Sequence, residues 1–305
     1  MPNVAHAYER LAVGPSRRDV VEHVRAREAW FGCADAGDDL YTAEGRWETP
    51  VVLWATPCLH DRLSLWKTCG WLRDRGIARR DVLIVDLPPR TRSPGAPPRA
   101  EPFDCGDSVL HQPDEVLRAQ LAVARPWSRE RYDEAVRLWE QYVSADPRRF
   151  ARRCARGVPG FLELGPLWVF LSRFFPRLSA DRSLRLGRYD ELLLGALSAE
   201  WQTPVKVYVR LVEEYSGFFS CVGDLTVEHR LAAWADHEAS RAVERAPDPR
   251  HPAEESVYRL TERGVQLRGG PSGLADAPRL PVGGAEAYAP EAPWVVLGDG
   301  RLVRM

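Results

Sequence analysis

The 305-residue sequence predicts an α/β fold, in which a parallel sheet domain is followed by a helical segment and a winged-helix-like C-terminal domain. Three observations predict it: two uninterrupted apolar strands joined by a helical run, a long stretch with helical apolar spacing, and three short helices followed by a strand. We therefore predict an α/β domain over residues 1–125, a helical connector over 126–185, and a winged-helix-like domain with a C-terminal hairpin over 186–305.

Residues 51–87 have the pattern of one β-α-β unit. VVLW and DVLIVDL are short strands of the buried type, and the segment from Leu59 to Trp71 between them has apolar residues on one helical face. Two such strands with a crossover helix predict a parallel sheet that is covered on both faces. The following loop, 88–102, is rich in Pro and Gly and lies at the carboxyl end of a strand, where α/β proteins bind ligands.

From Pro113 to Leu197 the pattern is helical. PDEVLRAQLAVA and SRERYDEAVRLWEQYVS both carry signals for a helix start, and DPRRFARRCAR begins a third helix. The apolar run LGPLWVFLSRFFPRL is too short to span a bilayer, so it predicts a buried helix that ends at Pro176.

The last third predicts the helices RYDELLLGALS, TPVKVYVRLVEEY and VGDLTVEHRLAAWADHEAS, followed by VYRLTERGVQLRGG. Three helices closed by such a strand are typical of winged helix-turn-helix domains, and the Thr after the strand is expected to cap the next helix. After a Gly/Pro loop, WVVLGDGRLVRM predicts a terminal hairpin that turns at Asp299-Gly300.

The composition excludes several classes of function. The 42 basic and 43 acidic residues almost cancel, so no global field attracts nucleic acid or anionic lipid. The six cysteines have no paired spacing, which argues against a zinc site or a disulfide framework. No signal peptide and no membrane-spanning window is visible. We predict a cytoplasmic protein with no metal, no cofactor and no membrane partner, and we leave a homo-oligomer open.

Polar side chains crowd where the first buried strand ends. Cys58 lies at the amino end of the crossover helix, where the helix dipole favours a thiolate. His60 is a candidate base, Asp61 its orienter and Arg62 an anion clamp. The alternative is structural: cysteines are common in cores, and an Asp and an Arg near a helix start can simply pair. Adjacent helical residues also point in different directions, so these side chains cannot all face one substrate.

Further candidates follow the second strand. Asp86 ends that strand beside the first, so its carboxylate is expected to reach the same crevice, although an Asp before Pro-Pro is equally often a turn former. Arg90 and Arg92, on the loop beyond, are placed to fold over an anionic ligand, or else are solvated. The sequence thus predicts ligand contacts at Arg62, Asp86, Arg90 and Arg92, and reactive groups at Cys58, His60 and Asp61.

The helix that would enter a DNA groove has the wrong charge. VGDLTVEHRLAAWADHE carries several acidic residues and one arginine, Arg230, whereas DNA binding requires several cations to neutralise phosphates. The sequence therefore argues against a nucleic-acid partner.

Five segments, in order along the chain, resemble a bacterial family known as domain of unknown function 1835 with its C-terminal companion 3658. They are LAVGPSRRDVVEHVRAREAW, VVLWATPCLHDRLSLW, PGFLELGPLWVFLSRFFPRLSADRSLRLGRYDELLLGAL, VGDLTVEHRLAAW and YRLTERG. The resemblance implies the same succession of domains, but the family has no settled activity that it could supply.

The chain departs from that family in two places. Its members begin with a strand ending in Gly-Asp-Ser, and this chain starts past that point, so we expect either a start codon upstream of Met1 or a lost first strand. The family's His-Asp-x-x-Asp-Gln segment is here Pro57-Cys58-Leu59-His60-Asp61-Arg62. Asp61 keeps its place, whereas the His-Asp pair and the Gln are replaced.

The leading hypothesis is a protein that binds, and in one version processes, a small anionic molecule at the carboxyl edge of its parallel sheet. One alternative is a ligand-sensing regulator with a DNA-binding winged helix, and another is a non-catalytic interaction protein. The sequence leaves the ligand, the reaction and the oligomeric state open.

Overall fold

The fold is described from a computed structural model. It covers residues 4–5 (backbone only), 50–56, 58–87, 113–219, 222–250, 256–269, 277–289 and 291–305. The predicted loop at 88–102, with the candidate ligand contacts Arg90 and Arg92, lies outside the described residues.

The predicted β-α-β unit and its parallel sheet are confirmed. Strand β1 (Val4–Ala5) is followed by β2 (Val51–Ala55), helix α1 (Leu59–Asp74) and β3 (Val82–Asp86). Strands β2 and β3 are parallel and in register along their whole length, and β1 pairs in parallel with the other side of β2. The sequence pattern places the first strand at Val51, so β1 is an addition to the predicted sheet.

The helices predicted after the sheet also form. They are α2 (Asp114–Ala122), α3 (Arg129–Tyr142), α4 (Arg148–Arg156) and α5 (Leu164–Ser172). Ser128 caps α3, because its Oγ accepts the backbone N–H of Arg131 at 3.2 Å. Helix α5 ends four residues before Pro176, the predicted stop. Helix α3 packs against α1, and Trp66 of α1 contacts Phe150 and Phe161 edge-on, so the connector completes the core beside the sheet.

A short hairpin that the sequence analysis does not predict comes next, formed by β4 (Arg177–Leu178) and β5 (Leu184–Arg185). Beyond it lie the three predicted helices, α6 (Arg188–Ala196), α7 (Pro204–Phe219) and α8 (Asp224–Asp236). Helix α7 is kinked at Tyr215, whose backbone leaves the helical region.

Helix α8 leads into an antiparallel hairpin of β6 (Val243–Pro247) and β7 (Ser256–Leu260), and α9 (Glu262–Gly269) follows. The sequence analysis predicts β7 but not β6. Thr261 caps α9 as predicted, since its Oγ1 accepts the backbone N–H of Gly264 at 3.0 Å.

Two further hairpins complete the described chain. Strands β8 (Pro281–Val282) and β9 (Ala285–Glu286) form the first hairpin. It lies in the segment that the sequence analysis predicts to be a Gly/Pro loop. Its turn packs so tightly on the end of α3 that a Cβ on Gly284 would lie 1.8 Å from the carbonyl oxygen of Val143.

The predicted terminal hairpin is confirmed as β10 (Trp294–Val296) and β11 (Leu302–Arg304). Gly300 stands in its turn with φ of 80°, a conformation that favours glycine. Strand β10 also pairs in parallel with β4, so the sheet order is β11-β10-β4-β5 and the terminal hairpin shares a sheet with the end of the connector.

A buried ion pair joins α6 to α8. Arg230 donates from Nε and Nη2 to the two carboxylate oxygens of Asp190, at 2.6 and 2.9 Å, and the indole of Trp234 donates to Oδ1 of Asp190 at 2.8 Å. Arg230 also donates to the carbonyl oxygen of Arg279 at 3.2 Å. The side chains of the pair are 1 % and 0 % exposed. We call Asp190, Arg230 and Trp234 the buried cluster.

None of the helices in the described ranges combines the length and the apolar character that crossing a bilayer requires.

Candidate functional site

The carboxyl ends of β2 and β3 meet at one edge of the sheet. Ala55 pairs with Asp86, and the N–H of Leu87 donates to the carbonyl oxygen of Ala55 at 2.8 Å. The chain turns from β2 into α1 at Cys58, which is the N-cap of that helix. The candidate residues at the start of α1 therefore lie at the same edge as Asp86.

Asp61 closes the turn between β2 and α1. Its Oδ2 accepts the backbone N–H of Thr56 at 3.2 Å and the Thr56 hydroxyl at 2.7 Å, and that hydroxyl oxygen accepts the N–H of Cys58 at 3.1 Å. An acidic residue at the third helical position commonly reaches back in this way to N–H groups that the helix leaves unpaired. Asp61 is buried and engaged in the turn, and its role as an orienter stays a prediction.

Cys58 and His60 are both buried, at 1 % and 4 % exposed. The carbonyl oxygen of Cys58 accepts the N–H of Arg62 at 3.0 Å, which begins the hydrogen-bond ladder of α1. The thiol therefore lies beneath the surface, and its pairing with His60 as nucleophile and base stays a prediction.

Asp86 accepts hydrogen bonds from two arginines that belong to different helices. Nη1 of Arg62, on α1, lies 2.7 Å from Oδ1, and Nη2 of Arg131, on α3, lies 3.0 Å from Oδ2. The indole of Trp127 also donates to Oδ2, at 3.3 Å. Asp86 and Arg131 are 33 % and 34 % exposed. With Glu163, these residues form what we call the sheet-edge cluster, which reaches solvent at Asp86 and Arg131, whereas Arg62 and Glu163 are each 11 % exposed.

Glu163 brings a second carboxyl to the cluster, with its Oε1 3.8 Å from Nε of Arg62. Burial raises the pKa of Glu163 from 4.5, and the nearby charge of Arg62 only partly opposes this shift. Arg131 is held in place by aromatic rings, since its guanidinium lies 4.0 Å from the ring centre of Trp127. The cluster thus pairs two permanent cations, Arg62 and Arg131, with two carboxyls. One is Asp86, and the other, Glu163, ionises less readily than a free glutamate.

The two guanidiniums retain unused donors. Nε of Arg62 and Nε of Arg131 are buried and donate no hydrogen bond to any residue of the described ranges. Buried N–H donors are nearly always satisfied in folded proteins, so these two atoms set the cluster apart from a saturated ion-pair network. A small rearrangement around an anion with several oxygens can supply the missing acceptors.

The sequence analysis does not identify three members of the cluster. Arg131 and Trp127 lie 45 and 41 residues from Asp86, and Glu163 lies farther along the chain, so no local spacing links them to the predicted site. The one available signal is PWSRER, which opens a predicted helix soon after the sheet's carboxyl edge.

Within the described part of the chain, no group of three His, Cys, Asp or Glu side chains is placed to hold a metal ion. Burial raises the pKa of the thiols of Cys69 and Cys154, so neither is an activated nucleophile.

Compared with protein-family models, with curated proteins and with solved structures, the chain has no significant match. The resemblance to family 1835 therefore stays a prediction, and a function has to be inferred from this chain's own geometry.

Proposed function

We propose that the chain binds a small anionic molecule at the carboxyl edge of its parallel sheet, with Arg62 and Arg131 as the binding cations. The observation that carries the proposal is that two guanidiniums, from two different helices, converge on one carboxylate that is only two-thirds buried. Open α/β sheets bind their ligands at this edge.

The charges of the cluster favour an anion over a neutral ligand. Arginine is always charged and binds carboxylates and phosphates through paired N–H groups. Asp86 accepts hydrogen bonds from both guanidiniums, which keeps the two cations close together. A phosphate or a dicarboxylate can displace Asp86 or share the guanidiniums with it, because it offers several oxygens at once.

The proposal covers binding and leaves out a reaction at Cys58. A nucleophile must reach its substrate, and this thiol is 1 % exposed in the present conformation. The carboxylate of Asp61, the suggested orienter of His60, is engaged with Thr56.

For residues 188–260 we propose a winged-helix type of arrangement. Three features support it: the succession of α6, α7 and α8, the antiparallel β6–β7 hairpin after them, and a bridge from Gln202 to Tyr258 that adds a third strand position. Nucleic acid is not part of this proposal. Helix α8 contains a single arginine, Arg230, and that residue is buried against Asp190.

The test of the sheet-edge site is stabilisation by anions. Inorganic phosphate and succinate are titrated into the protein, and the melting temperature is followed by calorimetry, since a ligand that binds the folded state raises it. We expect phosphate or succinate to raise the melting temperature of the unmodified protein and to have little effect on Arg131→Gln.

Arg129→Gln is the matched control. Arg129 lies on the same helix, is 81 % exposed and pairs with Asp133 across 3.6 Å, so its loss removes one positive charge without touching the cluster. An equal response of Arg129→Gln and Arg131→Gln would contradict the proposal, and so would the absence of any response in the unmodified protein.

A further inference from the structure

A cavity of about 470 Å³ lies between the amino end of α7 and the end of β6. Its walls are the segment from Trp201 to Lys206 and the segment from Ala246 to Arg250, and Val257 of β7 also lines it. The volume falls within the range of small-molecule sites. The cavity shares no residue with the sheet-edge cluster, so a ligand bound in it is independent of the anion proposed for that cluster.

One wall of the cavity presents an aromatic ring. Trp201 is 42 % exposed, which is high for an indole in a chain whose Trp66, Trp139 and Trp234 are almost fully buried. The guanidinium of Arg259 lies 4.6 Å from the centre of the Trp201 ring and is itself paired with Glu244 at 2.6 Å. The ring is thus held at the cavity wall, where a flat ligand can lie against it.

Two cations flank the cavity, one on each wall. Lys206 lies in the first turn of α7, and Arg250 follows β6. Both are exposed, and neither forms an ion pair with a described residue. Two cations without a carboxylate partner in the described ranges, one on each wall, are free to bind an anionic group.

The helix start adds to this positive field. Thr203 caps α7, since its Oγ1 accepts the N–H of Lys206 at 3.3 Å and its carbonyl oxygen accepts the N–H of Val207 at 3.2 Å. The amino end of a long helix carries a partial positive charge that stabilises a bound anion. The helix end alone would not define a site, but here it coincides with the two cations.

A carboxylate completes the lining. Asp248 is 5 % exposed, and its Oδ1 accepts the N–H of Arg250 at 2.8 Å, which fixes the chain at that point. A buried carboxylate at a cavity wall is an acceptor for hydroxyl or amino groups of a ligand. The cavity therefore offers an aromatic surface, a hydrogen-bond acceptor and two cations.

We propose that this cavity binds a nucleoside monophosphate, with its base against Trp201, its sugar hydroxyls toward Asp248 and its phosphate between Lys206 and Arg250. A nucleoside monophosphate combines a flat ring, hydroxyl donors and a doubly charged anion in one molecule. These three parts match the aromatic ring, the carboxylate and the two cations that line the cavity. Its members are also small enough for the cavity.

The test is calorimetric titration of the full chain with AMP, and with adenosine and inorganic phosphate separately. We expect AMP to bind more tightly than either part, because the ring and the phosphate contact different walls. Lys206→Gln should weaken AMP binding about tenfold, as the loss of one charge-assisted hydrogen bond does, and should leave adenosine unaffected. Trp201→Leu should weaken both AMP and adenosine by about tenfold through lost stacking.

Arg149→Gln is the control, since Arg149 is exposed on α4 and does not line the cavity. Melting curves of each variant establish that it is folded. Absence of AMP binding in the folded protein overturns the proposal, as does AMP binding that Lys206→Gln and Trp201→Leu leave unchanged. If a short DNA duplex binds and loses affinity in Lys206→Gln while AMP does not bind, the cavity flanks a nucleic-acid surface and the nucleotide proposal is wrong.

Discussion

The buried cluster and the sheet-edge cluster use the same chemistry in opposite surroundings. In the buried cluster one arginine meets one aspartate, both carboxylate oxygens are occupied, and exposure is 1 % or less. At the sheet edge two arginines meet one aspartate that is a third exposed, and a buried Nε of each guanidinium donates to no described residue.

We expect the buried cluster to hold its helices together and the sheet-edge cluster to exchange partners. A bidentate pair sealed from water has no room for a third group, and breaking it leaves a buried charge. At the sheet edge two cations share one partly exposed carboxylate, and we expect such a cluster to accept an additional anion. Substitutions in the two clusters should therefore differ in size and in kind, and the largest effect is expected in the buried one.

Asp190→Ala should cause the largest loss. It leaves the guanidinium of Arg230 and the indole N–H of Trp234 buried without their acceptor, so the free energy of unfolding should fall by about 3–5 kcal/mol. Urea denaturation followed by circular dichroism measures it. Asp133→Ala, which removes the exposed partner of Arg129, should cost less than about 1 kcal/mol. Similar losses of unfolding free energy in Asp190→Ala and Asp133→Ala would contradict the view that the buried ion pair stabilises the fold more than an exposed one.

Asp86→Asn should cause a smaller loss of stability and a gain in anion response. The partly exposed carboxylate contributes roughly 1–2 kcal/mol to the free energy of unfolding, because solvent weakens its ion pairs. Asparagine keeps one acceptor oxygen but carries no charge, so the two guanidiniums lose their shared counter-ion. Phosphate should therefore raise the melting temperature of Asp86→Asn more than that of the unmodified protein. An unchanged or smaller phosphate response would count against an exchangeable cluster.

Glu163→Gln should cause the smallest change in the free energy of unfolding, and this change should depend on pH. Because the pKa of Glu163 is raised in the folded state, its contribution to stability is fully present below its unfolded value of 4.5 and is lost as the pH rises through the folded value. Glutamine does not ionise, so the variant should gain stability relative to the unmodified protein over that window.

Urea unfolding of Glu163→Gln and the unmodified protein, at a series of pH values from about 4 to 8, measures this difference. A stability difference that does not vary with pH would show that burial leaves the ionisation of Glu163 unchanged.

Local pattern was sufficient to predict much of the architecture. The apolar run at 51–55, the crossover helix and the second strand are confirmed, because an uninterrupted apolar strand is typical of a sheet that is covered on both faces. The sequence could not predict the two-residue strands β4, β5, β8 and β9. Strands this short have no hydrophobic periodicity, and they form only when tertiary contacts supply their partners.

The candidate site was predicted less completely. The placing of Arg62 and Asp86 at one edge follows from two parallel strands that end there, but the ion pair between them was not predicted. Arg131, Trp127 and Glu163 reach that edge through the packing of α3 and the turn before α5, which depends on the whole core rather than on any local sequence. The burial of Cys58 and His60 was likewise not readable from the sequence, because a polar pair at a helix start has the same pattern whether it is covered or open.

The sheet that joins β4 to β10 has a consequence for synthesis on the ribosome. Arg177 of β4 leaves the ribosome long before its partner Val296 is made, and until then one side of the β4–β5 hairpin has unpaired backbone groups. Such an edge can pair with the same segment of a neighbouring nascent chain. Chains that stop before Trp294 would keep that edge open permanently, so truncation should promote aggregation out of proportion to the few residues removed.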